Sequence, residues 1–299
     1  MSSVLSQFST FLRSSQSIAK RYGKSEEYDT LTKLLTSGQD KNLVLLVCGE
    51  FKRGKSSLVN ALLKECVCPV ADGIATSAVS IIKYGETPKV TRYFSSLNDS
   101  GHNCSMIIKS ETVKVDSIAQ FANGTAIDID NTIYLEIEIP NQTLYNGLIL
   151  IDTPGIGSLD PRHLFLTQQA LPKADAFFFV TDTAEPMLTT ELDFIKDYLC
   201  NTNKPISIIL SKSDLVSKEE LSTYKSDIES KVSKSCNKDI DCITVSSTEW
   251  EEFNKDGSER RKMNSNCEAV LSATESLRTK RGESREGLFR GPFREYISS

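Results

Sequence analysis

Leu43-Val44-Leu45-Leu46-Val47-Cys48, running directly into Gly49-Glu50-Phe51-Lys52-Arg53-Gly54-Lys55-Ser56, decides the fold. The first six residues form a short, continuous apolar run, the pattern of a strand buried on both faces. The next eight match G-x-x-x-x-G-K-[ST], and a helix-period pattern follows from Lys55 to about Leu63. In such a loop the glycines let backbone N–H groups turn inward toward phosphate, and the helix that begins at its end adds a positive pole. The lysine reaches β- and γ-phosphates, and the hydroxyl of the last residue ligates Mg²⁺. Glu50, Arg53, Gly54, Lys55, Ser56 and Ser57 are therefore the expected phosphate-side contacts, with Ser56 also a metal ligand.

Outward from this point the chain alternates. Strands are expected at Ala78–Lys83, Val90–Phe94, Ile133–Ile139, Leu148–Ile151, Ala176–Val180, Ile206–Leu210 and Cys242–Val245. Helical patterns lie at Val115–Phe121, Leu164–Leu171, Glu191–Leu199 and Lys218–Val232. Alternation of this kind implies an α/β protein with three layers and a mainly parallel sheet. Ligands of such sheets bind beyond the C-terminal strand ends, so chemistry is sought just after each strand. Asp152-Thr153-Pro154-Gly155 follows one strand; the carboxylate can hold Mg²⁺ and the Gly155 N–H can meet a γ-phosphate. Ser211-Lys212-Ser213-Asp214 follows another. There Asp214 can accept from the guanine N1–H and amino group together, while the Lys212 stem lies along the ring; adenine presents the wrong edge. Ser246, after the last strand, is a positional candidate for a backbone N–H to the guanine carbonyl.

These motifs, with Gly49–Leu63 and Cys68–Val79, resemble the guanine-nucleotide series of P-loop GTPases, and within them the bacterial dynamin-like proteins. The long gap between Lys55 and Asp152 agrees with the insertions of dynamin-type domains. The resemblance covers roughly residues 40–247. It implies a P-loop GTPase fold, Mg²⁺-dependent hydrolysis of GTP to GDP, and self-association through the nucleotide face. It also implies that Thr76 closes on Mg²⁺ and γ-phosphate as a switch threonine. Asp152 and Gly155 would form the second switch. Three departures stand out. Ser211 replaces the usual Asn or Thr, no glutamine follows Gly155, and Lys52 occupies a loop position that is a serine in dynamins and an arginine finger in guanylate-binding proteins. Lys52, or alternatively Arg53, is thus the expected source of transition-state positive charge.

The flanks say less. Val4, Leu5, Phe8, Phe11, Leu12, Ile18 and Ala19 fall at helical spacing, followed by a second pattern through Leu31–Leu35 that stops at Gly38. Residues 1–38 read as a helical segment, packed on its own domain or shared in a bundle with a partner or an absent stalk. Residues 39–299 read as the GTPase domain, with 248–283 a polar insertion and Phe293–Ile297 in the last helix closing the sheet. Glu249, Glu251 and Glu252 around Trp250 read as a solvated helix start, and Arg278–Arg294 as a mixed-charge surface.

Composition sets the outer bounds. In 299 residues, 39% are hydrophobic and 25% charged, and Lys+Arg 35 against Asp+Glu 40 leaves a net charge of −5. This is a globular composition with a sizeable core and no global field for nucleic acid, so no nucleic-acid partner is expected. No apolar run suggests a membrane span or secretory signal, so a cytoplasmic location is expected and membrane contact finds no support. Eight scattered cysteines read as reduced thiols rather than a disulfide scaffold or zinc site. Two other classes fit some of these features: a regulatory switch GTPase linked to ribosome or RNA, and a non-catalytic nucleotide-binding module.

Overall fold

A computed structural model describes residues 14–18, 20–24, 42–68, 78–99, 104–113, 132–156 and 161–281. The expected helices at 4–12, 31–35 and 115–121, Thr76, and the segment 285–297 lie outside the described residues. The chain divides into two compact units, Leu43–Thr274 and a second made of Met1–Asn42 with Glu275–Ser299. In the second unit residues 14–18, 20–21 and 275–281 are helical. The larger unit carries every described candidate site residue.

Among its described residues nine strands form one sheet in the order β4-β3-β5-β2-β6-β1-β7-β8-β9. They are β1 (Leu43–Gly49), β2 (Val79–Tyr84), β3 (Lys89–Asp99), β4 (Cys104–Val113), β5 (Thr132–Ile139), β6 (Leu148–Asp152), β7 (Ala176–Asp182), β8 (Ile206–Ser211) and β9 (Cys242–Thr244). From β6 to β9 all neighbours are parallel, so the ends that follow Gly49, Asp152, Asp182, Ser211 and Thr244 share one edge. The sheet reverses where β2 meets β6 antiparallel, with Ser80 opposite Asp152. Beyond that seam β5 runs parallel to β2, and β3 and β4 add an antiparallel hairpin. The strand β4 was not expected; Lys109-Ser110-Glu111-Thr112 within it are exposed and polar, so its sequence carries little apolar alternation.

The central strands are buried on both faces, which is why they read as continuous apolar runs. Phe177, Phe178 and Phe179 of β7 are all fully buried, each contributing about 2–3 kcal/mol of apolar burial. Helices cover the sheet: α1 (Lys55–Leu63), α2 (Gln142–Tyr145), α3 (Pro161–Ala170), α4 (Thr189–Phe194), α5 (Lys218–Cys236), α6 (Ser247–Asp256) and α7 (Glu259–Ser265). Helix α4 continues into a wider π-helical turn, Ile195–Leu199. Ser217 and Glu220 close a capping box at the start of α5.

Two expectations change here. The acidic residues around Trp250 do begin a helix on its solvent side, as expected, but the stretch after β9 is packed against the domain rather than set apart as a polar insertion. Trp250 of α6 is 1% exposed and donates its indole N–H to the Ala61 carbonyl of α1 at 2.8 Å. Ser246 N–H donates to Ser265 O at 2.9 Å, and Asn266 Nδ2 to Thr244 O at 2.8 Å, so α6 and α7 close the β9 side. The segment 285–297, expected to hold the helix that closes the sheet, lies outside the described residues. The second change concerns the thiols. Cys200, after the π-helical turn, and Cys236, at the end of α5, stand with Cα atoms 4.8 Å apart and form a disulfide. Cysteines 36 positions apart in sequence are brought together by the return of α5 along the sheet, which spacing alone does not reveal. Cys48, Cys66, Cys68, Cys242 and Cys267 are free thiols.

Candidate functional site

The site is built at the shared strand edge, and its first part is the loop between β1 and α1. Gly49 leaves the strand at φ +143°, where a Cβ would lie 2.1 Å from the Val180 carbonyl oxygen; no side chain fits there. Gly54 (φ +91°) makes the left-handed entry to α1, and Lys52 also holds a left-handed backbone, φ 60°. Lys55 follows as the first helical residue. It is buried, and its Nζ donates to the Glu50 carbonyl at 2.7 Å, closing the loop on itself. Burial lowers the Lys55 pKa, against the raising effect of Asp152. An ammonium so enclosed is ready to exchange a carbonyl for a phosphate oxygen.

Asp152 ends β6 opposite this loop. Its Oδ2 accepts the Ser56 hydroxyl at 2.7 Å. Its Oδ1 is buried without a hydrogen-bond partner, beside the weakly donating thiol of Cys68. Burial raises the Asp152 pKa, opposed by the Ser56 hydrogen bond and the Lys55 charge. A hydroxyl meeting a carboxylate with an unsatisfied oxygen is a hard-donor pair of the kind Mg²⁺ takes, a small part of its shell coming from protein and the rest from water and phosphate. The residues present fit that ion. Thr153 ties the strand end to Val47 O at 3.0 Å. Gly155 lies against the phosphate loop so closely that a Cβ would approach Phe51 N to 2.5 Å, and Ile156 N–H donates to Gly49 O at 3.2 Å.

The third part follows β8. Ser211 Oγ donates to the Arg53 carbonyl at 2.6 Å, so the short hydroxyl reaches the phosphate-loop backbone. Lys212, in the left-handed region at φ 58°, donates its Nζ to Lys52 O at 3.0 Å and to Asp182 Oδ2 at 2.6 Å. Asp214 is exposed on the short 3₁₀ turn Ser213–Leu215, and Ser213 N–H donates to Val245 O at 3.1 Å. The Lys212 stem and the Asp214 carboxylate thus stand on the same edge as the phosphate loop, open to a ligand.

Two candidates take other roles. Ser246 is fully buried; its hydroxyl accepts from Glu249 N–H at 3.1 Å as the cap of α6, and its own N–H is taken by Ser265 O. It is a structural cap and not a base contact. Arg53 is excluded as a free catalytic cation. Its guanidinium is buried against Asp182 (2.6 Å), Glu191 (3.3 Å), Glu185 (3.5 Å) and Glu50 (3.7 Å), leaving its backbone alone for phosphate. Lys52 is exposed, its Nζ 5.7 Å from the centre of the Phe51 ring. Ser57 is half-buried in the first turn of α1.

Several residues essential to this arrangement were not singled out in the sequence. Asn60 accepts from the Val67 and Cys68 N–H groups at 2.9 and 2.8 Å and donates to Cys68 O at 2.9 Å, pinning the exit of α1 beside the Ser56–Asp152 pair. Glu191, fully buried, accepts from the Thr181 hydroxyl and the Leu188 N–H at 2.8 and 2.9 Å. Burial raises its pKa, opposed by these hydrogen bonds and Arg53. Asp182 is shifted the other way: burial pushes its pKa up, but the Lys212 hydrogen bond and the Arg53 charge outweigh it.

A phosphate loop closed by a buried lysine, a hydroxyl–carboxylate pair and a lysine–aspartate base motif on one sheet edge define a P-loop GTPase domain. The profile of the Dynamin family matches residues 45–213, and the chain belongs to that family. It is 28% identical over 201 residues to isoniazid-induced protein IniA of Mycobacterium tuberculosis, covering 66% of this chain and 30% of that one. It is 24% identical over 218 residues to dynamin-like protein 1 of Campylobacter jejuni, covering 64% and 30%. The chain therefore spans about a third of the length of these relatives. Its fold matches a chain from a structure described as an oligomerised bacterial dynamin pair that senses and tethers membranes. The TM-score is 0.66 at 21% identity, over 98% of this chain and 45% of that one. Among the described residues no helix is long and apolar enough to cross a membrane.

Proposed function

We propose that this domain binds GTP and hydrolyses its β–γ anhydride with Mg²⁺, and that turnover rises when two copies meet across the nucleotide face. The observation that carries the reading is the Ser56–Asp152 pair, with its unsatisfied buried oxygen, immediately after the buried Lys55. Ser56 and Asp152 would hold the ion, joined by Thr76, and Mg²⁺ bound there would neutralise charge on the β- and γ-phosphate oxygens. The loop backbone from Glu50 to Ser57 orients the phosphates, and Lys55 exchanges the Glu50 carbonyl for them. Gly155 offers its N–H to the γ-phosphate. Asp214 selects guanine by accepting two N–H groups, and Lys212 lies along the ring. Lys52, exposed at the loop tip, supplies positive charge as negative charge develops on the transferring group.

Self-association through this face follows from the open edge on which Lys52, Asp214 and the second switch stand together. The membrane work described for the oligomerised bacterial dynamin pair would be performed by a larger assembly to which this domain contributes nucleotide turnover. GTP turnover measured against protein concentration tests the reading: specific activity should rise with concentration and vanish on Mg²⁺ chelation. Turnover that is absent, or equally fast with ATP, overturns it. Single-turnover hydrolysis by Lys52→Ala should fall about a thousandfold at unchanged GTP affinity, the lower end for a cationic finger; an unchanged rate removes Lys52 from the mechanism.

A further inference from the structure

Between the phosphate loop and the base motif lies a buried charge cluster that neither motif contains. Asp182, the last residue of β7, is 3% exposed. Its two oxygens serve different partners: Oδ1 accepts Arg53 Nη1 of the phosphate loop, and Oδ2 accepts Lys212 Nζ of the base motif, each at 2.6 Å. The other edge of the Arg53 guanidinium is braced by the fully buried Glu191, 3.3 Å from Nε. Glu191 also gathers the Thr181 hydroxyl and the Leu188 N–H, while Thr183 Oγ1 donates to the Lys212 carbonyl at 2.9 Å. The turn after β7 is thereby locked to both loops.

We infer that Asp182 is a positioning residue for guanine nucleotide: one carboxylate joins the phosphate loop to the base motif and holds the Lys212 side chain extended where the purine ring packs. The inference rests on the GTP-binding reading above. A free lysine samples many rotamers, and ordering it on binding is paid from affinity. Here Asp182 and the Lys52 carbonyl take two of the three ammonium donors, so the side chain is already held when the base arrives. The same contact fixes Arg53, and through it the loop backbone between Lys52 and Gly54. Asp182 bonds neither the Asp152–Gly155 segment nor the Lys52 side chain, so it acts on nucleotide affinity rather than on the chemical step.

The test uses the full chain with a fluorescent GDP analogue, followed by steady-state GTP hydrolysis. Asp182→Asn keeps the size and one acceptor but loses the charge shared between two cations. It should weaken GDP binding about tenfold, the effect of losing one charge-assisted hydrogen bond, and raise KM for GTP with kcat within about threefold of the natural protein. Asp182→Glu should fall between the two. In the Lys212→Ala background, Asp182→Asn should weaken binding little further, because the side chain it positions is gone. Unchanged affinity in Asp182→Asn, or losses that multiply fully in the double variant, would overturn the inference. Where thermal melting shows that Asp182→Asn does not fold, Asp182→Glu decides: a few-fold weaker affinity supports the role, and unchanged affinity refutes it. Failure of the natural protein to bind the GDP analogue at all would show before any variant is made, and would refute the GTP reading itself.

Discussion

Replacing Trp250 with Phe tests whether the helices after β9 belong to the domain's core. The indole is 1% exposed and is the sole tryptophan of the chain. Its N–H reaches Ala61 O in the last turn of α1, where a carbonyl has no helical partner; the Lys64 N–H shares that oxygen at 3.2 Å. Phe removes the donor, costing about 1 kcal/mol, while Ala61 O keeps its second partner. The smaller ring leaves a gap against α1 and Phe253, whose ring centre lies 5.2 Å away, costing about 1 kcal/mol more. The sum is about 2 kcal/mol, and Trp250→Ala should cost about 4 kcal/mol, a large part of the stability of an ordinary domain. Urea unfolding followed by far-ultraviolet circular dichroism reads both variants. In the natural protein the fluorescence of Trp250 should trace the same transition, since the helix carrying it unfolds with the sheet. A loss below about 0.5 kcal/mol for Trp250→Phe, or a fluorescence transition well before the loss of helix signal, would show that α6 is an appendage after all.

Three other perturbations follow from the site. Asp152 has a folded pKa above its ordinary value because of burial, so its contribution to stability is favourable below that ordinary value and lost as pH rises through the folded pKa. Asp152→Asn should therefore leave the nucleotide-free protein as stable or more stable at neutral pH and flatten the fall of stability as pH rises above the ordinary carboxylate range, while abolishing Mg²⁺-dependent turnover; a clear drop in melting temperature would contradict this. Gly155→Ala places a Cβ 2.5 Å from Phe51 N, a backbone contact that cannot rotate away, and should cost about 1–3 kcal/mol in urea unfolding together with hydrolysis. Opening the Cys200–Cys236 disulfide frees a span of 36 residues, worth up to about 4 kcal/mol of unfolded-chain entropy. Melting curves that coincide with and without reductant would show that the bond adds nothing.

Much of this architecture was legible because its logic is local. A strand buried on both faces has no choice but a continuous apolar run, and the phosphate loop that follows is specified by glycine backbone angles and one lysine. The same holds for Asp152 and Asp214, which sit just beyond such strands. What stayed hidden depends on partners distant in sequence. Arg53 looks like an exposed cation at a loop tip until β7 delivers Asp182 and α4 delivers Glu191. Cys200 and Cys236 look like scattered thiols until α5 returns along the sheet. Ser246 was misread although its signal is local: Ser246 followed by Glu249 three residues on, ahead of Trp250, is a helix start, and the cap consumes the groups assigned to guanine. The hairpin strand β4 was missed because a sheet margin in water needs no apolar periodicity.

The reversal between β2 and β6 gives the domain a boundary along which it has grown. Among the described residues the loops of the candidate site rise from the parallel strands β6, β1, β7 and β8, while β2, β5, β3 and β4 extend the sheet laterally from a single antiparallel seam. Residues added to the β3–β4 hairpin lengthen a margin that, among the described strands, pairs only with β5. The interval between Lys55 and Asp152 is long for this reason. It places the added strands on one flank and the described site loops on the other, so the flank can be lengthened without displacing those loops.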